Sequence, residues 1–353
     1  MDDDTRACLL TRREWLRASA ALGAGVVVLG CAARDTAGRP HYTSRRSDML
    51  YDTVIVGGGP AGLSAALALG RARKRVLLCD SGPRRNATAE RVHNFVTRDG
   101  TPPDEFRRIA REQVAHYPNV EVRDVRVESI SGDRGAFEVA LSDRRVEARR
   151  VLLCTGMVDA IPPLDGFREL WGHAIFQCPY CHGWEVQDGR WGYLALAADP
   201  QHVVPFSMQL RAWTREVVVF TNGTLDLARE ARDRLHAAGV RLETARVARL
   251  VRRADRLEGL ELAGGIIVPC NSLFAHPPQR QVALIGAMGL ALDDDGMVRA
   301  EPMTRETSIP GVYAAGDLTT RAQAAVFAAS SGLQAAARIN AELTMELATG
   351  GAL

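Results

Sequence analysis

The sequence predicts an α/β protein with two doubly wound, three-layer domains, one of which is interrupted by the other. The chain has 353 residues, more than the roughly 250–300 at which a single hydrophobic core stops growing. A strand–helix–strand order occurs twice, over residues 51–80 and again over residues 193–220. Such units form parallel sheets with helices on both faces. Hydrophobic residues make up 46% of the chain and charged residues 24%, as in ordinary globular proteins.

Composition excludes several classes of function. A net charge of +2 gives no reason to expect nucleic acid as a partner. Seven cysteines are too few and too scattered for a disulfide scaffold. No apolar run reaches the roughly 18 residues that a membrane-spanning helix needs.

Residues 1–33 resemble an export signal. Arg12 and Arg13 precede the short apolar segment 18–29, which is the order of a twin-arginine signal. Cys31 follows at a position similar to a lipoprotein cleavage site. We therefore expect a periplasmic or cell-surface protein, with membrane attachment only through a lipidated Cys31.

Two alternatives stay open for this amino-terminal region. It could be a short amphipathic extension, or translation could begin at Met49, which would leave the protein cytoplasmic. The composition of residues 34–49, rich in Arg, Ser and Thr, is typical of a linker.

Residues 51–80 predict a Rossmann-like nucleotide-binding unit. A buried-strand pattern at residues 51–56 leads into a G-x-G-x-x-G turn that opens a helix rich in Ala and Leu. The glycines permit a tight turn and let backbone amides approach a pyrophosphate at the helix N-terminus. An acid after the next strand can accept ribose hydroxyls. The residues expected to contact a dinucleotide here are Gly57, Gly59, Pro60, Ala61, Gly62 and Asp80.

The following region predicts a helix, three strands and a crossover. Apolar spacing indicates a helix over residues 103–117, and alternation indicates strands. The last strand runs into the tight turn Cys154-Thr155-Gly156. The expected strands and crossover lie at residues 120–130, 136–141, 146–153 and 162–166.

The hexapeptide of residues 178–183, CPYCHG, predicts the reactive centre. Two cysteines separated by two residues can close an accessible disulfide, and one thiolate can be stabilised while the other is attacked. His182 follows the second sulfur directly, and its free pKa of about 6.5 suits proton transfer. We therefore expect Cys178, Cys181 and His182 to be the catalytic residues.

Zinc binding is the alternative for a Cys-x-x-Cys pair, but it needs a second pair of ligands. No second Cys-x-x-Cys and no following His-x3-5-His motif occurs in the sequence. Redox chemistry is therefore favoured, and we expect no metal. The remaining cysteines are Cys8, Cys31, Cys79, Cys154 and Cys270.

The second strand–helix–strand unit departs from the first at its turn. Strands are expected at residues 193–196 and 216–220, with a helix at 200–213 between them. The turn over residues 195–200 contains no glycine, so the chemistry that cradles a pyrophosphate is missing. The second strand ends in residues 221–223, TNG, instead of a pair of arginines that could hold a ribose phosphate.

Towards the carboxyl terminus, a strand over residues 307–315 ends in Gly316-Asp317. We expect a helix to follow, through Gln323 to about residue 340, and a frayed tail at the final residues. Asp317 could accept a hydrogen bond from a ribityl hydroxyl. The alternative for an isolated Gly-Asp is a simple helix N-cap.

Four motifs in this order resemble the low-molecular-weight thioredoxin reductases, across nearly all of residues 51–343. The motifs are the glycine turn at 57–62, Cys154-Thr155-Gly156, the Cys178/Cys181 pair, and the segment GVYAAGD at 311–317.

Within that group, the chain is similar to the flavin-dependent dithiol oxidases related to gliotoxin and holomycin oxidases. The reductases carry an aspartate where this chain has a histidine after the second cysteine. The segments that carry this resemblance are Asp80-Ser81-Gly82 with Arg85-Asn86, His93-Asn94-Phe95, and His182-Gly183.

The resemblance implies an FAD-binding domain formed by residues 50–164 and 281–343. A dithiol-bearing module similar to an NAD(P)H domain, residues 165–280, would be inserted between them. The resemblance also implies that Cys181 lies nearer the flavin and carries the charge-transfer thiolate, while Cys178 exchanges with substrate. A homodimer is implied as well. The remaining expected cofactor contacts are Asn94, Gly156, Gly316, Asp317 and Gln323.

We therefore expect a flavoenzyme that oxidises a small dithiol to a disulfide and passes electrons from FAD to oxygen. NADPH is doubtful, because phosphate oxygens would meet side chains at the second turn and an exported protein has no reduced nicotinamide pool. One alternative is an NADPH-dependent, thioredoxin reductase-like enzyme that reduces a small disulfide or a thioredoxin-like protein. The other is a redox-inactive flavoprotein that only binds a partner, and the intact Cys178 and Cys181 argue against it.

Overall fold

A computed structural model describes residues 50–196 and 200–350. The expected export signal with Cys31, the expected linker with the start at Met49, and residues 197–199 of the glycine-free turn lie outside the described residues. Within the described part, no helix is long and apolar enough to cross a membrane.

The strands of the described residues, in chain order, are β1 (Leu50–Val56), β2 (Val76–Cys79), β3 (Val120–Arg123), β4 (Val127–Asp133), β5 (Ala136–Leu141), β6 (Arg145–Leu153), β7 (Val158–Asp159), β8 (Ile175–Phe176), β9 (Arg190–Leu194), β10 (Glu216–Phe220), β11 (Arg241–Glu243), β12 (Val247–Arg253), β13 (Arg256–Leu262), β14 (Ile267–Pro269), β15 (Ser272–Ala275), β16 (Gln279–Arg280) and β17 (Val312–Ala314).

The helices of the same residues are α1 (Pro60–Arg71), α2 (Pro103–Ala115), α3 (Phe167–Leu170), α4 (Pro179–His182), α5 (Pro200–Leu210), α6 (Arg229–Ala237), α7 (Ala283–Met288) and α8 (Ala325–Thr349), with a 3₁₀ turn at Asp317–Thr319.

The first sheet has the strand order β3-β2-β1-β6-β5-β4, and β17 lies beside the second half of β6. Strands β1, β2, β3, β6 and β17 run parallel, whereas β4 and β5 form an antiparallel edge. The carboxyl ends of parallel strands meet at one edge of a sheet, where such folds bind their ligands. Here that edge collects the residues that follow β1, β2, β6 and β17, which include the expected cofactor contacts.

The second sheet has the order β11-β10-β9-β15-β8, with all of its strands parallel. Beside it, β12, β13 and β14 form an antiparallel sheet. Strands β7 and β16 pair antiparallel where the chain leaves and re-enters the first sheet. The dithiol follows β8, so it is carried by the second sheet. The α/β class with parallel, Rossmann-like sheets is therefore confirmed.

Helices α1 and α8 cover one face of the first sheet. Their fully buried side chains include Leu69 and Ile339. The backbones approach closely at Gly332, where a Cβ atom would overlap the carbonyl of Ala61. This contact fixes the amino-terminal turn of α1 against the carboxyl-terminal part of the chain.

The carboxyl-terminal helix starts later than expected. After Gly316 the chain forms the 3₁₀ turn Asp317–Thr319, and α8 begins only at Ala325. Gln323 therefore lies before the helix and not within it. Its side-chain nitrogen donates to the carbonyl of Thr320 at 3.2 Å, which closes the intervening turn.

The helix also ends later than expected, because α8 continues to Thr349 and not only to about residue 340. Of the final residues, for which we expect a frayed tail, 351–353 lie outside the described part of the chain. Arg150 of β6, whose side chain is fully buried, pairs with Glu346 and approaches Glu342 with its Nε atom 3.6 Å from the carboxylate. A buried charge needs such partners, so these pairs hold the last turns of α8 against the sheet.

Two expected strands have different limits. The strand expected over residues 120–130 is two strands, since β3 pairs with β2 and β4 pairs with β5. The strand expected over residues 307–315 is reduced to β17, because Pro310 has no N–H to donate and Gly311 takes a φ of +83°. Those are turn features.

Candidate active site

The glycine turn after β1 leaves one face open. Gly57 has a φ of +113°, and a Cβ atom there would overlap the carbonyl of Cys154; one at Gly62 would overlap the carbonyl of Gly57. By contrast, no atom of the described residues lies within 4 Å of where the Cβ of Gly59 would stand. Gly59 is the N-cap of α1 and Pro60 begins the helix. The open space therefore faces unpaired backbone amides, the arrangement that binds a phosphate.

Asp80 lies beside this turn, as the sequence predicted. Its carboxylate packs against Gly58, accepts a hydrogen bond from the amide of Gly82 at 3.1 Å, and pairs with Arg107 of α2. Asp80 is 7% exposed, so the arginine holds a nearly buried carboxylate in place. Sequence reasoning missed Arg107, because nothing in a single sequence shows which side chain of α2 meets β2.

The turn after β17 contacts the turn after β1. Gly316 has a φ of +91°, and a Cβ atom there would lie 3.1 Å from the Cβ of Ala61. Asp317 follows directly, and burial raises the pKa of its carboxyl group against the opposing effect of Arg85. Gly156, with a φ of +65°, follows β6 at the same edge. These turns bring together the predicted cofactor contacts that precede and follow the second sheet.

The two turns fit an FAD molecule. The amides before α1 face open space, and acids stand on either side, with Asp80 placed to meet a ribose and Asp317 placed to meet a ribityl chain. The hydroxyl of Thr155 is buried and has no hydrogen-bond partner in the described part of the chain. A buried polar atom without a partner is uncommon, so a ligand atom at this edge would satisfy it.

Substitutions at two of these glycines should affect cofactor binding and folding stability separately. We expect Gly59→Ala to fold normally but to bind FAD about tenfold more weakly or worse, about 1.4 kcal/mol, because its methyl group would fill the open space. Gly57→Ala should lower stability by about 1–3 kcal/mol from backbone strain alone. Thermal unfolding of the flavin-free proteins, with flavin absorbance per chain, measures both effects. Full flavin content in Gly59→Ala would place the pyrophosphate elsewhere.

The two cysteines that the sequence predicts to be catalytic lie at the start of the short helix α4 and within its last residues. Cys178 is its N-cap, and the amide of Cys181 donates to the carbonyl of Cys178 at 3.2 Å. The Cys181 thiol also donates to the Cys178 sulfur, and with the amides of Cys181 and Tyr180 it lowers the pKa of Cys178 to about 7 despite burial. The same thiol hydrogen bond, and burial, raise the pKa of Cys181. Cys178 is therefore the thiol with the more stable anion.

His182 ends α4 and stacks on Phe176, with ring centroids 4.5 Å apart and planes 18° from parallel. Burial lowers the pKa of His182, with a smaller opposing effect from Glu185. Both ring nitrogens are buried and lack a hydrogen-bond partner among the described residues, the two sulfurs included. The structure thus places a buried imidazole directly after Cys181, with both ring nitrogens unpartnered among the described residues.

Asn94 contacts the dithiol helix. Its side-chain amide donates to the carbonyl of Tyr180 at 2.7 Å, and its own backbone has a φ of +61°. The neighbouring His93 lies 3.4 Å from Asp99 through Nδ1 and 3.4 Å from Glu185 through Nε2. The loop that carries the predicted HNF segment therefore contacts α4 at Tyr180 and the segment after α4 at Glu185.

Arg85 lies between the cofactor contacts and the dithiol. It meets Asp159, Asp317 and Gln323, and its Nη2 donates to Gln177, the residue before Cys178. Arg85 belongs to a segment that carries the family resemblance, but its sequence context assigns it no role. The signal is weak, because Arg84 and Arg85 are two adjacent charges in a loop after Asp80.

Aromatic side chains fill the place where the second sheet would bind a nucleotide. The strand order changes direction between β9 and β15, and ligands bind beyond the carboxyl ends of strands at such a point. There, Phe206 of α5 packs against Tyr193 and His276, with ring centroids 4.8 and 4.7 Å apart. Burial lowers the pKa of His276 to about 4. Three packed, uncharged rings therefore line this edge of the second sheet.

The other cysteines of the described residues are buried, neutral thiols. Cys79, Cys154 and Cys270 are buried, and burial raises the pKa of each thiol above its ordinary value. A buried, neutral thiol is unreactive. No group of three or more His, Cys, Asp or Glu side chains within residues 50–196 and 200–350 is placed to hold a metal ion.

Comparison with known proteins gives a consistent picture. Residues 51–332 match the pyridine nucleotide-disulphide oxidoreductase family. The thioredoxin reductase aclD of Aspergillus oryzae is 32% identical, and the match covers 84% of this chain and 98% of that protein.

Two solved structures share the fold. An oxidoreductase from Agrobacterium tumefaciens is 35% identical with a TM-score of 0.78, and the match covers 84% of this chain and 99% of that protein. HlmI is 35% identical with a TM-score of 0.79, covering 85% of this chain and 95% of its own. Matches that cover 84% and 85% of this chain extend over both sheets.

Proposed function

The chain belongs to the pyridine nucleotide-disulphide oxidoreductase family, and from that membership we propose that it oxidises a small dithiol to a disulfide, with oxygen as the final electron acceptor. It is a flavin-dependent disulfide oxidoreductase that uses FAD, similar to the thioredoxin reductases. The proposal concerns the direction of electron flow and the source of the electrons.

The aromatic cluster of Tyr193, Phe206 and His276 carries the proposal. A pyridine nucleotide needs backbone amides for its phosphates and open space for its rings. The sequence supplies no glycine at that turn, and the crevice is lined by packed apolar rings. These features support electrons arriving from a thiol substrate and not from NADPH.

The exchange at the dithiol transfers two electrons from the substrate to the enzyme. A substrate thiolate attacks the sulfur of Cys178 in the Cys178–Cys181 disulfide, and Cys181 leaves as the thiol or thiolate. The second substrate thiol then attacks the mixed disulfide, so one S–S bond forms in the substrate while one is broken in the enzyme. Bound FAD supplies the acceptor for the two electrons, which oxygen finally receives to give hydrogen peroxide.

The low pKa of Cys178 supports its place on the substrate side. A thiol with a pKa of about 7 is a good leaving group at neutral pH, and leaving-group pKa controls the rate of thiol–disulfide exchange. Cys178 is also the N-cap of α4, two residues before Tyr180, which is 64% exposed. This position gives a small substrate direct access to its sulfur.

His182 would accept the proton that each substrate thiol loses. Because burial lowers its pKa, the imidazole is neutral at pH 7, the form that accepts a proton. We expect His182→Ala to keep its flavin and to slow turnover by about 10²-fold to 10⁴-fold.

The pH profile of the same variant provides a sharper test. Activity should fall as pH drops through the lowered pKa of His182, below about 6.5, and this acid limb should disappear in His182→Ala. The control is His116→Ala, at a histidine that lies at the end of α2 and bonds the Glu112 carbonyl. This variant should keep the acid limb. An unchanged rate and profile in His182→Ala would remove the histidine from the mechanism.

A thioredoxin reductase-like activity driven by NADPH is the second candidate. It is favoured by the relatives that carry that name, such as aclD of Aspergillus oryzae. Anaerobic reduction of the bound flavin, by a dithiol in one cuvette and by NADPH in another, separates the two candidates.

A further inference from the structure

Arg85 is the centre of a hydrogen-bond network that joins three parts of the fold. Its Nε donates to Asp159 of β7 at 2.7 Å, and its Nη1 lies 3.3 Å from Asp317. Nη1 also donates to Gln323, and Nη2 donates to Gln177. One guanidinium thus bonds the cofactor edge, the connecting strand and the segment that precedes the dithiol.

The partners of Arg85 are also bonded to one another. Gln279 of β16 donates to Asp159 at 2.8 Å, and it exchanges hydrogen bonds with Gln323 at 2.8 and 3.0 Å. The side chains of β7 and β16, which carry the chain between the two sheets, are therefore fixed to the first sheet at the same place. A closed network of this kind restricts each member more than a single pair would.

We propose that Arg85 is a positioning residue that holds the dithiol helix at the cofactor edge and supplies the positive charge that stabilises the Cys181 thiolate. This inference rests on the proposed function and deepens it, because it identifies what presents Cys181 to the flavin. Gln177 links the network to the dithiol, because Cys178 follows it directly in the chain.

The charges around the sulfur explain why an arginine is needed. The hydrogen bond to Cys178 and burial raise the pKa of Cys181, the Arg85 charge lowers it, and the Asp317 charge raises it. Without Arg85, the carboxylates of Asp159 and Asp317 would be left without this cation. A like charge nearby disfavours an anion, so the Cys181 thiolate would become less stable.

Lysine could supply the charge but not the geometry. A guanidinium presents donors in a rigid planar fork, whereas an ammonium is a point charge on a flexible stem. Arg85 uses separate nitrogens for Asp159, Gln323 and Gln177. Arg85→Lys should therefore keep the electrostatic effect and lose the positioning effect.

The test measures the ionisation of the Cys181 thiol separately from the mobility of residues 175–183. In the Cys178→Ser holoenzyme, the rate at which iodoacetamide labels Cys181 is followed against pH by mass spectrometry. We expect Arg85→Gln to raise the midpoint by about one pH unit or more. The matched control is Arg84→Gln, one residue away, whose guanidinium pairs with the exposed Asp104 at 2.5 Å and should leave the midpoint unchanged.

Amide hydrogen exchange of residues 175–183 reports the positioning. Arg85→Lys and Gln177→Leu should both speed exchange there by about tenfold, about 1.4 kcal/mol of local opening, while leaving the labelling midpoint of Cys181 within a few tenths of a unit. Equal midpoints in Arg85→Gln and Arg84→Gln would overturn the electrostatic role. Unchanged exchange in both Arg85→Lys and Gln177→Leu would overturn the positioning role, even if Arg85→Gln does not fold.

These measurements do not depend on the direction of electron flow. A protein that NADPH reduces rapidly would contradict the proposed function, yet the labelling midpoint and the exchange rates would still decide the role of Arg85.

Discussion

Cys181→Ser is expected to remain yellow and to lose reduction of its flavin by a dithiol, with turnover lower by about 10³-fold or more, the scale seen when a covalent catalytic group is removed. The cofactor contacts at the glycine turn and at Asp317 are separate from α4, so flavin should stay bound. Without the second sulfur, the enzyme cannot reform the disulfide that accepts the electrons. Stopped-flow absorbance at the flavin band measures the loss.

Cys178→Ser should behave differently from Cys181→Ser. It retains the sulfur that the resemblance places nearer the flavin, and it removes the thiolate that competes with Cys181 for the proton between them. We expect a long-wavelength absorption band from the Cys181 thiolate beside the oxidised flavin. Cys270→Ser, at a buried position between β14 and β15, is the control and should turn over at nearly the parent rate. Dithiol-driven bleaching of Cys181→Ser at the parent rate would show that the substrate reduces the flavin directly.

The glycine turns could be predicted because their residue types are dictated by the backbone. Gly57 and Gly62 sit where any Cβ atom would overlap a carbonyl, and Gly316 has a φ of +91°. Such positions accept almost no other residue, so their spacing identifies them in a single sequence. The dithiol was predictable for a similar reason, since the chemistry requires Cys178 and Cys181 at that separation.

Arg85 could not be assigned a role from the sequence, because its partners are distant along the chain. They lie between 74 and 238 residues away and come from three separate segments of the chain. The aromatic cluster could not be predicted for the same reason. Its members, Tyr193, Phe206 and His276, meet only through the packing of β9, α5 and the end of β15. The sequence did indicate the absence of a glycine turn there, but not what replaces the nucleotide.

The limits of α8 show how tertiary packing overrides local pattern. The segment after Gly316 contains good helix formers, yet the chain first makes a 3₁₀ turn. At the other end, the buried Arg150 pairs with Glu346 and extends the helix to Thr349. Neither feature has a local signal, because each depends on contact with β6 or with the cofactor edge.

The rate of flavin reduction should differ strongly between a small dithiol and NADPH. Because packed rings fill the crevice between β9 and β15 and no glycine turn cradles the phosphates, NADPH should bind weakly. A small dithiol needs only the sulfur of Cys178. We therefore expect the dithiol to reduce the flavin rapidly and NADPH to reduce it slowly or not at all.

An anaerobic titration of the holoenzyme tests this account most directly. One portion receives a small dithiol and a matched portion receives NADPH, with flavin absorbance recorded after each addition and again after air is admitted. The account predicts stoichiometric bleaching by the dithiol, little change with NADPH, and return of the yellow colour in air as hydrogen peroxide forms. Rapid, stoichiometric bleaching by NADPH would contradict it and would establish the thioredoxin reductase-like direction instead.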